Sequence, residues 1–177
     1  HIPSAEVVDW TTEQLRRVFP LEWEALAAAV PRRAGQRVID ACHEGITHPD
    51  PSVRETTAQA WCRWEDAHMS LDPCSTSSLS RESAEYQLNF STLVIHYWKH
   101  SGFLAEHPLL ENMHRSAHLP AVLIHGRMDI SSPLSDALAL HRQWPGSELI
   151  VIPGEGHGGP RMVQEINRAA ARFLAAD

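Results

Sequence analysis

Long apolar runs are missing from this chain of 177 residues: no stretch reaches the about 18 consecutive apolar residues that a membrane-crossing helix needs. Basic charge is scarce too. Fifteen Lys and Arg stand against 22 Asp and Glu, a formal net charge of -7, so no basic stripe is present to track a phosphate backbone, which argues against nucleic acid as a partner. Cysteine is limited to Cys42, Cys62 and Cys74, an odd number without CxxC spacing, which fits thiols in a reducing cytosol better than a disulfide framework. The opening "HIPSAEVVDW" also lacks the basic and apolar blocks of a signal peptide. A soluble, cytoplasmic protein is the expectation, and the 43% of hydrophobic residues suffice for the core of a domain of ordinary size.

Histidine is what the sequence has in quantity, at 12 residues. "HEGITH" has one residue more than the zinc-binding HExxH, so His43 and His48 would not share a helix face. "HYWKH" and "HRSAH" have i, i+4 spacing but no acidic third ligand at a recognisable offset. The histidines therefore read as scattered, and no metal or organic cofactor is expected.

The first two thirds read as helices. Thr11 and Gln14 make a capping-box start, Pro20 opens a second helix that Pro31 stops, and Val38, Ile39, Cys42 and Ile46 mark a third. Asp50 and Pro51 open a long helix through "SVRETTAQAWCRWEDAHMSL". The Ser-rich "DPCSTSSLS" is a loop, Ser80 can cap the next helix, and Gly102 ends it. Beyond Pro120 the pattern becomes strand, helix, strand, helix: "AVLIHG", "SPLSDALALHRQW", "SELIVIP" and "PRMVQEINRAAARFLAAD", the last with Val163, Ile166, Ala170 and Phe173 on one side. Continuous apolar strands alternating with helices belong to a parallel α/β sheet, which two strands alone do not stabilise. The organisation expected is a helical region over 1–118 and a strand–helix–strand–helix region over 119–177.

In open parallel sheets active residues sit just past the carboxyl ends of the strands. The loop after "AVLIHG" offers Asp129, and the loop after "LIVIP" offers His157 within "GEGHGG". An acid loop followed one strand, helix and strand later by a histidine loop matches the last two members of the Ser, Asp, His order of α/β-hydrolases. The carboxylate would fix the imidazole tautomer while the other ring nitrogen takes a serine proton.

The stretch "LPAVLIHGRMDISSPLSDALALHRQWPGSELIVIPGEGHGG" resembles the C-terminal part of proline iminopeptidases, α/β-hydrolases of the serine peptidase type that remove an N-terminal proline from peptides. Upstream, "VFPLEWEALAAAVP", the segment around "RVIDACHEGITHPDPSVRETTAQAWCRWEDAHMSL" and "HYWKHSGFL" resemble the helical cap of that family, with its Trp-x-x-Trp-Glu signature at Trp61, Trp64 and Glu65. The resemblance implies Asp129 and His157 as catalytic residues, Glu65 with Trp61 and Trp64 as the substrate-binding group, and a peptide with a free N-terminal proline as substrate. On a helix Trp61 and Glu65 share a face, and an ammonium about 4 Å from a carboxylate near a protein surface gains on the order of 4 kcal/mol before desolvation. Val94 stands where many members carry a second cap glutamate, which leaves the strictness of proline preference open.

The family's nucleophile lies in a G-x-S-x-G elbow, and this sequence contains none. The resemblance therefore covers a cap plus the last two strands and their helices, with the serine and oxyanion hole expected on a companion N-terminal segment, without which the chain would be inactive. Two alternatives stay open: a non-catalytic binding or self-associating module, and another cap-bearing α/β-hydrolase such as an esterase.

Overall fold

Prolines and short polar side chains fix most of the helix starts. The computed structural model describes residues 4–69, 71, 78–104 and 109–175; Cys74 and most of the Ser-rich loop lie outside them. Two compact units result: residues 4–68 with 78–104 form one, and 69, 71 and 109–175 the other.

The first unit is helical. Helix α1 (Ala5–Asp9) is capped by Ser4, whose hydroxyl accepts from the Val7 N–H at 3.3 Å. Thr11 therefore does not start a helix. It lies inside a wide turn (Trp10–Gln14), buried with Thr12, because the Trp23 indole N–H takes the Thr12 carbonyl at 2.6 Å and draws it out of the helical ladder. Helix α2 (Pro20–Ala29) begins on Pro20 and ends before Val30, which Pro31 holds extended.

Helix α3 (Val38–Ile46) buries Val38, Ile39, Cys42 and Ile46, the four positions its periodicity predicts. Gly45 lies against Thr57 of α4 (Pro51–Met69) so closely that a Cβ there would overlap the Thr57 hydroxyl. The start of α4 is as expected: Asp50 Oδ1 accepts from the Ser52 N–H at 2.9 Å. Helix α5 (Ala84–Lys99) is capped by Ser83, not Ser80. The Asp66 carboxylate holds the Ser80 and Leu79 N–H groups at 2.9 and 2.7 Å, which fixes Ser80 in a short turn ahead of the helix. Beyond α5, Gly102 adopts a left-handed φ of 62°. Helices α3 and α5 pack on each other, tied at one end by Lys99 and Asp40.

The second unit is strand, helix, strand, helix: β1 (Ala121–Gly126), α6 (Leu134–Arg142), β2 (Ser147–Ile152) and α7 (Pro160–Leu174). The strands are parallel neighbours, in register from Ala121 opposite Ser147 to Gly126 opposite Ile152, and among the described residues they make a two-stranded sheet. Most strand positions are only half-buried, although continuous apolar strands are built for burial on both faces. Helix α7 packs on β1 and buries Ala169, while its apolar positions Val163, Ile166 and Phe173 are exposed. Amphipathicity was legible, but the apolar stripe faces outward. No helix among the described residues is long and apolar enough to cross a membrane.

Candidate active site

The two strands end side by side, and their following loops are tied by backbone before any side chain takes part. The Arg127 N–H donates to the Ile152 carbonyl at 2.9 Å, and the Met128 N–H to the Glu155 carbonyl at 2.8 Å. Gly126 makes this possible, because a Cβ there would collide with the carbonyls of Glu155 and Gly156. Glu155, itself buried, holds the other end of the histidine loop: its two carboxylate oxygens accept from the Arg161 and Met162 N–H groups at 2.8 and 2.9 Å, at the start of α7. An anion is favoured there by the unpaired donors and by the helix dipole. Gly159 is needed beside it, since a Cβ would overlap the Glu155 side chain.

Held this way, Asp129 and His157, 28 residues apart in sequence, meet at 2.9 Å between Oδ2 and Nδ1. The carboxylate is only 6% exposed and the imidazole 45%. Asp129 Oδ1 accepts from the Ser131 hydroxyl at 2.8 Å and the Ser132 N–H at 2.9 Å. Burial by itself would raise the Asp129 pKa; the hydrogen bond and charge of His157, with the bonds from Ser131 and Ser132, outweigh it and hold the carboxyl below its ordinary value. Since a carboxylate can only accept, His157 donates from Nδ1, and the ring's lone pair lies on Nε2. An imidazole oriented in this way is equipped to accept a proton from a nucleophile.

Trp61, Trp64 and Glu65 lie on α4 of the helical unit. Both indoles are core residues, Trp61 edge-on to Trp98 at 5.9 Å and Trp64 edge-on to Phe19 at 6.3 Å. The Glu65 carboxylate is 12% exposed, with Oε2 3.2 Å from Nε2 of the buried His68. That contact lacks hydrogen-bond geometry. Both indole N–H groups and both His68 ring nitrogens are buried without a hydrogen-bond partner.

Sequence reasoning missed Glu155 and the part played by Ser131 and Ser132. The second was readable: an Asp followed by Ser two and three positions on favours an Asx-type turn around its own carboxylate. The first was not, since the cap of α7 comes from five residues before the helix, across a glycine-rich loop.

No protein-family model matches the chain. A proline iminopeptidase of Xylella fastidiosa (strain Temecula1) is 36% identical over 165 residues, 92% of this chain and 53% of that protein. One of Xanthomonas citri is 34% identical over 164 residues, covering 91% and 52%, and one of Neisseria meningitidis serogroup B is 29% identical over 177 residues, covering 97% and 55%. Across nearly its whole length the chain is thus similar to proteins named proline iminopeptidase, and it spans about half the length of the curated relatives it matches.

Proposed function

We propose that this chain is the cap (1–118) and closing strand–helix–strand–helix part (119–177) of an α/β-hydrolase that releases N-terminal proline from peptides, its nucleophilic serine supplied by an additional N-terminal segment. The carrying observation is the 2.9 Å contact between His157 Nδ1 and Asp129 Oδ2 beyond the ends of two adjacent parallel strands. In the reaction the serine attacks the carbonyl of the first residue, His157 takes the serine proton at Nε2 and returns it to the leaving amine, and water then releases the acyl group. Asp129 keeps the imidazole oriented and stabilises its charged form. Glu65 would receive the substrate's charged amine, with Trp61 and Trp64 fixing the helix that carries it. The exposed stripe of α7 and the half-buried strands support further sheet and helix packing against this unit.

The test joins the N-terminal half of the Xylella fastidiosa relative ahead of this chain and measures hydrolysis of a proline amide. The chain alone should show no turnover and take no fluorophosphonate label, and the joined protein should do both. His157→Ala should abolish turnover, and Glu65→Gln should depress amide hydrolysis while sparing an uncharged ester. Proline-amide turnover by the purified chain alone would overturn the proposal.

A further inference from the structure

The packing of α3 on α5 brings together three histidines that look unrelated in sequence. His43 comes from α3, His96 from the last turn of α5, and His100 from the residue that caps the C-terminus of α5, four positions on. Their ring centroids are 4.9 Å apart for His96 and His100, 5.9 Å for His43 and His100, and 6.2 Å for His43 and His96. Each ring offers one nitrogen, and the three nitrogens lie within 4.8 Å of one another. The three imidazoles pack against one another edge-on or tilted with no carboxylate among them, so each proton added would repel its neighbours. A shared cation is the partner their chemistry fits.

We propose that His43, His96 and His100 form a binding site for a divalent transition metal, zinc foremost, which clamps α3 to α5 and keeps a fourth position for water. An all-imidazole donor set suits zinc, nickel, cobalt or copper and offers calcium or magnesium none of the oxygen ligands they need. Zinc–nitrogen bonds of about 2.0–2.1 Å in a tetrahedral site place ligand nitrogens roughly 3.4 Å apart, so nitrogens that lie within 4.8 Å of one another must close in by up to about 1.4 Å. The His96 and His100 rings are exposed and can make that movement by side-chain rotation without disturbing the core. Phe103 supplies an apolar wall, stacked on His100 at 5.0 Å and beside His96 at 5.5 Å. Lys99, whose charge acts on His43, is held by Asp40 at 2.5 Å, which offsets its repulsion of a bound ion. This inference concerns the helical unit alone and stands or falls independently of the peptidase reading.

The full chain, stripped with a chelator, would be titrated with zinc chloride by calorimetry, and its unfolding midpoint followed with and without the metal. One equivalent should bind at this site and raise the midpoint, since a ligand of the folded state stabilises it by mass action. His96→Gln and His100→Gln should each weaken this binding by at least about tenfold, and the double variant should lose both the equivalent and the rise in midpoint. His114→Gln, in the other i, i+4 histidine pair, should change neither. Because His96 and His100 are exposed, their replacement leaves the fold intact, which circular dichroism checks, and the result does not depend on the half-buried His43. Zinc binding by the double variant with unchanged stoichiometry and affinity, or no zinc binding by the unaltered chain, would overturn the proposal.

Discussion

Asp129→Asn isolates what the carboxylate does, because it changes one oxygen to an amide at nearly constant volume. Asp129 Oδ1 faces two donors, the Ser131 hydroxyl and the Ser132 N–H. A backbone N–H cannot accept, so the asparagine oxygen must stay on that side and its NH2 must turn to His157. There it donates to Nδ1, which forces the ring's proton onto Nε2. The bonds change from charge-assisted to neutral, at about 1 kcal/mol for each of the two buried ones. The third contributes less, since the imidazole is 45% exposed and solvent screens it. The variant should lose about 2 kcal/mol in the unfolding of the strand unit and still fold. Nitrogen-15 spectra of the His157 ring read the outcome directly: Nδ1 carries the proton in the unaltered chain and Nε2 in the variant. If the ring keeps its proton on Nδ1 after the substitution, the claim that Asp129 sets the tautomer is wrong, whatever happens to stability.

Three further outcomes follow from the same packing. Gly126→Ala should displace the histidine loop and cost about 1–3 kcal/mol, because the new Cβ meets backbone carbonyls of Glu155 and Gly156 that cannot rotate away; an unchanged melting temperature together with unchanged His157 resonances would refute this. Gly45→Ala should destabilise the helical unit despite alanine's better helix propensity, since the added methyl overlaps the Thr57 hydroxyl, and Thr57→Ala in the same chain should restore much of the loss, measured by thermal melts of the single and double variants. On acidification, the Asp129 carboxyl titrates lower folded than unfolded, so its stabilisation is complete above the ordinary aspartate value of about 3.9 and is lost as pH falls through the folded value. The stability gap between the unaltered chain and Asp129→Asn should accordingly close below about pH 4, and a gap constant with pH would contradict that sign.

The elements that were legible in the sequence are those whose signals are local and unopposed. Apolar runs at 121–126 and 147–152 announced two parallel strands, and strand order alone brought Asp129 and His157 to neighbouring loops. Asp50 with Pro51 started α4 where expected, the Asp50 carboxylate taking the Ser52 N–H. Thr11 and Ser80 carried equally good capping signals and did not cap. A distant group intervened each time, the Trp23 indole at the Thr12 carbonyl and the Asp66 carboxylate at the Ser80 amide. The histidine cluster was illegible for the same reason: its third member arrives through the contact between α3 and α5, which no spacing records. The outward apolar stripe of α7 was half legible, since periodicity shows that a stripe exists but not what it packs on.

The backbone bonds that join the two loops also decide what the pairing of acid and base depends on. Arg127 and Met128 reach across to Ile152 and Glu155 through main-chain atoms alone, and Glu155 fastens the loop to α7 within the same unit. The acid and the base are thus set against each other by contacts within one short stretch of chain. On the proposed reading, the proton acceptor that a serine from an additional segment would meet is aimed by main-chain bonds, which no side-chain substitution in these loops removes outright.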